Sequence, residues 1–315
     1  MSVCERLFCS PTIITTNGLA TASIRAAGRS FLTACAQGSL SKVKTYAPQL
    51  YTTAGIDKRA VPPLKLAIAT AAENGHSDIL RYIFTDIPQC RQATHGPWNP
   101  KIEIQEHDIP EEWRSAVYPD LAIMCAIKGA KPAVFQTLLD FGLNVNHNIE
   151  KIGSPLTVVV QRQDVEMVRF LLSKGADANE QYWIPNDSVL ARAASLPSLE
   201  ILALLLEHGA KIQGSKALKG AAEGGRIDAA TMLLARGADI NEVFRHDLWD
   251  DDVAKDTIGT ALHVAVQHDQ KDFVRFLLQQ GAQTDLVDGE GITPVQLAQA
   301  QGKTKILELF DKVEH

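Results

Sequence analysis

The residues best suited to acid–base chemistry or ligand contact are concentrated in one irregular stretch, residues 243–258, which reads VFRHDLWDDDVAKDTI. His246 stands beside Asp247 there, and an imidazole with a carboxylate partner can transfer protons near neutral pH. The pair is the candidate for catalysis in one interpretation, an enzyme or small-molecule binder with its pocket under this stretch. No other catalytic residue is predicted, because the sequence has no G-x-S-x-G and no H-E-x-x-H motif.

Aromatic side chains outside any helical pattern form a second candidate site, for contact with a partner. Trp and Tyr dominate binding hot spots, and neighbouring acids would favour a basic or amphipathic segment of another protein, or a cationic small molecule held over the rings. Two alternatives stay open: the rings anchor their own loops, and the run of acids is a solvated surface. The predicted partner-binding residues are Tyr182, Trp183, Phe244, His246, Trp249 and Asp250.

The bulk composition limits the classes of function. Hydrophobic residues make up 45% of the 315 residues, which is typical of a globular protein, and the net charge of −6 argues against a nucleic-acid partner. The five cysteines are odd in number and unpaired in spacing, so neither a disulfide framework nor a zinc site is predicted. With no apolar run long enough to cross a membrane, we expect a cytoplasmic protein without membrane contact, metal or cofactor.

A repeated sequence motif, here called the repeated phrase, indicates the elements that would position these residues. It consists of an apolar pair, two variable residues and glycine. It recurs as LLDFG, LLSKGA, LLEHGA, LLARGA and LLQQGA. The first three glycines, Gly142, Gly175 and Gly209, stand 33 and 34 residues apart. Each phrase ends a helical apolar stripe, such as Val165, Val168 and Leu171, and glycine supplies the left-handed residue that stops the helix.

A second motif lies about twenty residues before each glycine. It reads SPLT from Ser154, TALH from Thr260 and TPVQ from Thr293. Ser or Thr caps a helix, and proline is tolerated at the first helical position because its missing N–H would have no partner there. The two motifs together predict a helix, a tight turn and a second helix in every repeat.

This pattern resembles the ankyrin repeat, which opens with T-P-L-H-x-A and closes with the L-L-x-x-G-A phrase. The segment from Thr260 to Asp285 matches best, with His263 at the family's histidine, whose expected role is structural. The resemblance implies an all-α ankyrin-repeat solenoid of about eight helix-turn-helix units with two inserted loops. The units are expected to begin near Phe31, Pro63, Leu121, Ser154, Ser188, Lys216, Thr260 and Thr293.

The domain organisation follows from where the repeats begin and where they are interrupted. Residues 1–29 are expected to form a flexible N-terminal segment, and residues 30–315 the solenoid, with insertions near 88–119 and 243–258. The resemblance implies a protein–protein interaction scaffold that binds its partner on the concave face formed by the fingers, the loops that join successive repeats. A third hypothesis is an adaptor that holds two partners, one at each insertion.

Overall fold

A computed structural model describes residues 18–51, 61–62, 64–87, 120–149, 152–180, 187–245 and 257–312. Eight consecutive pairs of helices occupy these ranges, as the repeats predict. The chain divides into two compact units, Met1–His147 and Asn148–His315.

The first unit contributes three of the pairs. They are α1 (Gly18–Gln37) with α2 (Leu40–Tyr51), α3 (Leu64–Glu73) with α4 (Ser77–Asp86), and α5 (Asp120–Lys128) with α6 (Pro132–Asp140). Helix α1 begins twelve residues before the predicted boundary at residue 30, so residues 18–29 of the expected flexible segment are helical. The reason is that this stretch is rich in alanine, the best helix former, and contains no proline.

The second unit holds five pairs and two short strands. The helices are α7 (Pro155–Gln161), α8 (Val165–Ser173), α9 (Val189–Ser195), α10 (Leu199–Glu207), α11 (Ala217–Glu223), α12 (Ile227–Ala235), α13 (Ala261–Gln267), α14 (Lys271–Gln279), α15 (Pro294–Ala300) and α16 (Thr304–Asp311). The strands β1 (Phe244–Arg245) and β2 (Thr257–Gly259) pair antiparallel and close the base of the second insertion. This small ladder was not expected from the sequence. The first insertion, 88–119, lies outside the described residues.

Side-chain caps begin the helices and glycines end them, as the sequence predicts for Ser154 and Gly175. The Ser154 hydroxyl accepts the N–H of Leu156 at 3.2 Å with Pro155 at the first helical position, and Asp164 accepts the N–H of Met167 at 3.1 Å. At the other end of α8, Gly175 has φ +86°, and the N–H of Ala176 reaches back to the Leu171 carbonyl at 3.0 Å. These bonds satisfy groups that a helix end otherwise leaves without partners, so each repeat starts and stops at a defined residue.

The core of each unit is apolar and closely packed. Leu171 on α8 is 0% exposed, as the register predicts. Helices α9 and α11 approach so closely that a Cβ at Gly220 would lie 2.0 Å from the Ala191 carbonyl oxygen. Only glycine fits at this crossing, because the obstacle is backbone and has no rotamer to adopt.

A recurring polar bond joins successive helix pairs within a unit. In four of the pairs, the residue that precedes the second helix donates to a carbonyl near the end of the previous pair's first helix, where the helix dipole favours a donor or a cation. The donors and acceptors are His76 to Ala36, Arg226 to Leu196, Gln270 to Glu223, and Lys303 to Val266.

Candidate functional site

The fingers of the second unit are shaped by side-chain-to-backbone bonds. Asp177 accepts the N–H of Asn179 at 2.8 Å, and Asp239 accepts that of Asn241 at 2.9 Å. Such bonds let a short polar side chain stand in for a backbone turn. These two fingers therefore begin with the same turn, two residues after the glycine that ends the second helix.

Asparagine side chains then fix neighbouring fingers side by side. The Asn179 Oδ1 accepts the N–H of Lys211 at 2.8 Å, and its Nδ2 donates to the Gly209 carbonyl at 3.3 Å. Between the fingers that follow Gly237 and Gly281, the Asn241 Oδ1 accepts the N–H of Gln283 at 2.9 Å. The spacing between adjacent fingers is thus set by direct bonds, which gives side chains on them a fixed separation.

Most of the predicted site residues fall outside the described part of the chain. Tyr182 and Trp183 belong to residues 181–186, and His246, Asp247, Trp249 and Asp250 belong to residues 246–256. Their roles, partner contact for the aromatic rings and Asp250 and acid–base chemistry for the His246–Asp247 pair, stay predictions.

Phe244 is described, and it does not lie on the surface. Its side chain is 2% exposed, and its backbone pairs with Gly259 across the ladder that closes the insertion. A ring so buried cannot contact a partner in this conformation. The sequence predicts an exposed aromatic anchor here; instead Phe244 packs into the core and fixes the point where the insertion leaves the repeats.

Two exposed valines stand at matching positions on neighbouring fingers. Val243 is 39% exposed and Val287 is 47% exposed, and each lies six residues after its helix-ending glycine, Gly237 or Gly281. With Ile152 on an earlier finger, they are the large apolar side chains that remain most exposed among the described residues. Neither valine is aromatic, so the aromatic pattern does not indicate them; alignment of the fingers on their glycines does.

Most of the charged residues on the two fingers that carry these valines are acidic. Asp288 accepts the backbone N–H groups of Glu290 at 2.9 Å and of Ile292 at 3.0 Å, which shapes the last finger. Glu242 precedes Val243 and accepts the N–H of Gly214 at 3.1 Å, while burial raises the pKa of its carboxyl above the usual range. The charged residues of the two fingers, the finger face of residues 239–245 and 285–290, are Asp239, Glu242, Arg245, Asp285, Asp288 and Glu290.

Glu180 is the counterpart of Glu242 on an earlier finger. Burial is the main influence on its carboxyl and raises the pKa, against hydrogen bonds from Ser154 that lower it. Its Oε2 atom is buried without a hydrogen-bond partner among the described residues. A half-satisfied carboxylate costs stability when ionised, so this position is sensitive to pH.

Lys219 forms a small ion cluster on α11. Its Nζ lies 2.7 Å from a carboxylate oxygen of Glu223 and 3.3 Å from one of Asp187, with the lysine side chain 10% exposed. Burial alone would lower the pKa of Lys219, but the bond to Glu223 and the charge of Asp187 outweigh it and raise the pKa. A lysine held protonated is neither a base nor a nucleophile, so the cluster joins α11 to the segment before α9.

His263 is structural, as the resemblance implies. Its Nδ1 accepts the backbone N–H of Thr260 at 3.1 Å, and its Nε2 lies 3.0 Å from the Ile292 carbonyl on the next finger. These partners require the proton on Nε2, which then donates to Ile292. Burial lowers the pKa of His263.

The fold also suppresses the reactivity of a buried cysteine. Cys125 is buried, and burial, helped by the charge of Glu73, raises the pKa of its thiol to about 11; a thiol held protonated in this way is a poor nucleophile. Within the ranges that the structure describes, no three or more His, Cys, Asp or Glu side chains gather as metal ligands would. Nor is any described helix both long and apolar enough to cross a membrane.

Comparison with known proteins agrees with the repeat geometry. The sequence profile of the Ankyrin repeat matches residues 154–182 and 259–289. Human "Ankyrin repeat and SOCS box protein 11" is 28% identical over 162 residues, which cover 49% of this chain and 48% of that protein. Mouse "Ankyrin repeat and SOCS box protein 5" is 41% identical over 76 residues, 24% of this chain and 22% of that protein.

The crystal structure of the human ASB11 ankyrin repeat domain is similar at 25% identity, with a TM-score of 0.49, over 59% of this chain and 80% of that one. The chain spans about half the length of the first of these relatives, 48%. Helix pairs with the family's caps, turn glycines and bridging histidine, together with the two profile matches, identify ankyrin repeats in this chain.

Proposed function

We propose that this ankyrin-repeat protein binds another protein through the finger face of residues 239–245 and 285–290. The observation that carries the proposal is the pair Val243 and Val287, exposed at the same register position on adjacent fingers. Apolar side chains held outward on rigid turns gain free energy only when a partner covers them, about 25 cal/mol for each Å² removed from water. Ankyrin repeats are in general protein-interaction modules, so this use of the fingers fits the family.

The chemistry of the face favours a basic, amphipathic segment as the partner. Asp239, Asp285 and Asp288 flank the valines, and the neighbouring insertion adds the acids Asp250, Asp251 and Asp252. Opposite charges would steer and orient the partner, while its apolar side chains would cover the valines. Trp249 and Trp183 stay proposed anchors of the same interface, and the proposed setting is the cytoplasm.

The relatives support the general role without identifying the partner. Two of them carry, by name, a SOCS box beside their ankyrin repeats. A protein that couples repeats to a further domain is organised as an adaptor, and we extend that organisation to this chain as a proposal only.

Affinity capture with a matched pair of variants tests the proposal. The double variant Val243→Ser, Val287→Ser removes the apolar pair and keeps the charges, and Ile152→Ser is the control, because Ile152 is equally exposed, at 40%, on a different finger. The amount of each partner protein captured from native cells should be at least about tenfold lower with the double variant than with the wild type. A tenfold loss corresponds to roughly 1.4 kcal/mol of binding free energy. The captured proteins should persist with the control.

The same capture separates the alternatives. An identical set of proteins on the wild type and the double variant would overturn the finger face as the binding surface. A small molecule lost from the double variant, with no change in proteins, would instead favour the interpretation built on His246 and Asp247.

A further inference from the structure

The first helix pair carries a charge opposite to that of the whole chain. Residues 18–51 contain Arg25, Arg29, Lys42 and Lys44 and no aspartate or glutamate, in a protein whose net charge is −6. A region of one sign attracts ligands of the other sign and raises their local concentration. The finger face is acidic, so a ligand suited to this basic pair of helices would differ in charge from one suited to the finger face.

A pocket of about 340 Å³ lies between α1 and α2 within this region. Arg29 on α1 and Lys42 on α2 both line it, and both side chains are exposed. Neither cation takes part in any ion pair among the residues that the structure describes. The two charges therefore face one cavity without a described counter-charge.

The rest of the lining suits an oxyanion. Ser30, Thr33 and Tyr46 offer hydroxyl donors, Gln37 offers an amide, and no carboxylate is among the lining residues. Ser30, Thr33 and Gln37 are spaced three and four residues apart on α1, so they stand on one stripe of the helix. A guanidinium, an ammonium and several neutral donors are the groups that proteins use to bind phosphate.

The position of Lys42 adds to the argument. It stands in the first turn of α2, which contains no acid, although the positive end of the helix dipole favours an acid there. The dipole and the ammonium thus add to each other, and an anion in the pocket would relieve both. The negative end of α1 nearby is already satisfied, because Ser39 N–H and His76 Nε2 bond the carbonyls of Ala34 and Ala36 at 3.0 Å.

We propose that the pocket between α1 and α2 binds a phosphate monoester group. Arg29 binds the phosphate oxygens through its guanidinium, Lys42 supplies a second charge from the opposite wall, and the hydroxyls of Ser30, Thr33 and Tyr46 complete the donors. The site is independent of the finger face, since it lies in the other compact unit of the chain.

Backbone amide chemical shifts of the full chain, titrated with phosphoserine at constant ionic strength, test the proposal. Saturable shifts confined to residues around 29–46 are expected. Arg29→Gln and Lys42→Gln should each weaken the fitted affinity at least about tenfold, as the loss of a hydrogen bond to a charged group implies. Lys44→Gln is the matched control, because Lys44 carries the same charge on the same helix but does not line the pocket.

The Lys44→Gln control distinguishes a defined binding site from general attraction by positive charge. Equal weakening by Lys44→Gln and Lys42→Gln would overturn the site, since it would mean that the region attracts anions only through its net charge. Absence of saturable shifts, or equal shifts with serine, would overturn it as well. Unchanged shift dispersion in each variant shows that the fold is intact, which is expected because all three side chains are exposed.

The source of the phosphate is resolved by two further titrations. A phosphoserine peptide that binds more tightly than free phosphoserine would indicate a phosphorylated partner protein, because residues beside the phosphate would then add contacts. A sugar phosphate that binds more tightly than the peptide would indicate a small metabolite. Both results support a phosphate site.

Discussion

At the residue scale, the third residue of the first helix has a different role in each of three repeats. His263 bridges to the next finger, Lys219 forms an ion cluster, and Gln296 only caps its own helix, with its Oε1 accepting the N–H of Thr293 at 2.9 Å. The family pattern predicts the histidine alone. The other two depend on which neighbours stand opposite, and a repeat pattern does not contain that information.

Replacement of His263 by alanine should destabilise the second unit by roughly 2–3 kcal/mol, because it leaves the N–H of Thr260 and the carbonyl of Ile292 without their buried partner. Gln296→Ala is the control at the same position, and the loss of an exposed cap should cost about 1 kcal/mol or less. Urea unfolding monitored by circular dichroism measures both. Equal losses from the two variants would contradict the bridging role.

The pH dependence of the same variant has a defined sign. Since the pKa of His263 is lowered from 6.5 on folding, the stability that the neutral ring contributes is present above about pH 6.5 and lost as the pH falls through the lowered value. The difference in unfolding free energy between wild type and His263→Ala should therefore shrink below that pH. A difference that stays constant from pH 7.5 to pH 5 would show that the ring does not titrate in this way.

Glu180 should act in the opposite direction. Its pKa is raised above 4.5 on folding, so its contribution to stability is full below about pH 4.5 and is lost as the pH rises through the raised value. Glu180→Gln removes the ionisation. The melting temperature of the variant, relative to that of the wild type, should therefore increase between pH 4.5 and pH 7. Glu207→Gln, at an exposed position on α10, controls for the change in net charge; a matching gain there would contradict this explanation.

At the element scale, the helices could be predicted and the irregular segments could not. Ser154, Thr293 and the turn glycines each satisfy a local requirement of a helix end, so the sequence around them is sufficient to place a boundary. The start of α1 was misjudged because alanine favours a helix without producing an apolar stripe. The β1–β2 ladder was missed because its pairing joins residues on either side of an insertion, a contact that no local pattern encodes.

Packing between elements can be tested at Leu171 on α8. Leu171→Ala should cost about 2–5 kcal/mol, because the side chain is fully buried and its removal leaves a cavity. Arg169→Ala on the same helix is the control: its ion pair with Glu200, at 2.8 Å, is 55% exposed on both sides and should contribute less than about 1 kcal/mol. An unchanged urea midpoint for Leu171→Ala would contradict the register of α8.

At the scale of the whole molecule, the sequence indicated which region departs from the repeat but not how a surface is built there. The aromatic pattern predicts contact through Phe244, which is buried, and does not indicate Val243, which is exposed. Exposure depends on how the insertion closes between β1 and β2, because Phe244 pairs across this ladder whereas Val243 precedes it. The pairing of Val243 with Val287 emerges only when neighbouring fingers are compared in the folded protein.

The division into two compact units predicts that Asn148–His315 folds without the rest of the chain. Its five helix pairs exceed the roughly three repeats that a stable stack needs, and the bonds between its fingers are internal. The isolated fragment should retain helical circular dichroism and one cooperative thermal transition, and should capture the same partner as the full chain, because the proposed finger face lies within it. Fragment 1–147 is the control and should capture none of that partner while retaining phosphoserine binding. A fragment 148–315 that is helical but captures nothing would contradict the finger face alone, whereas one that fails to fold would contradict the independence of the unit.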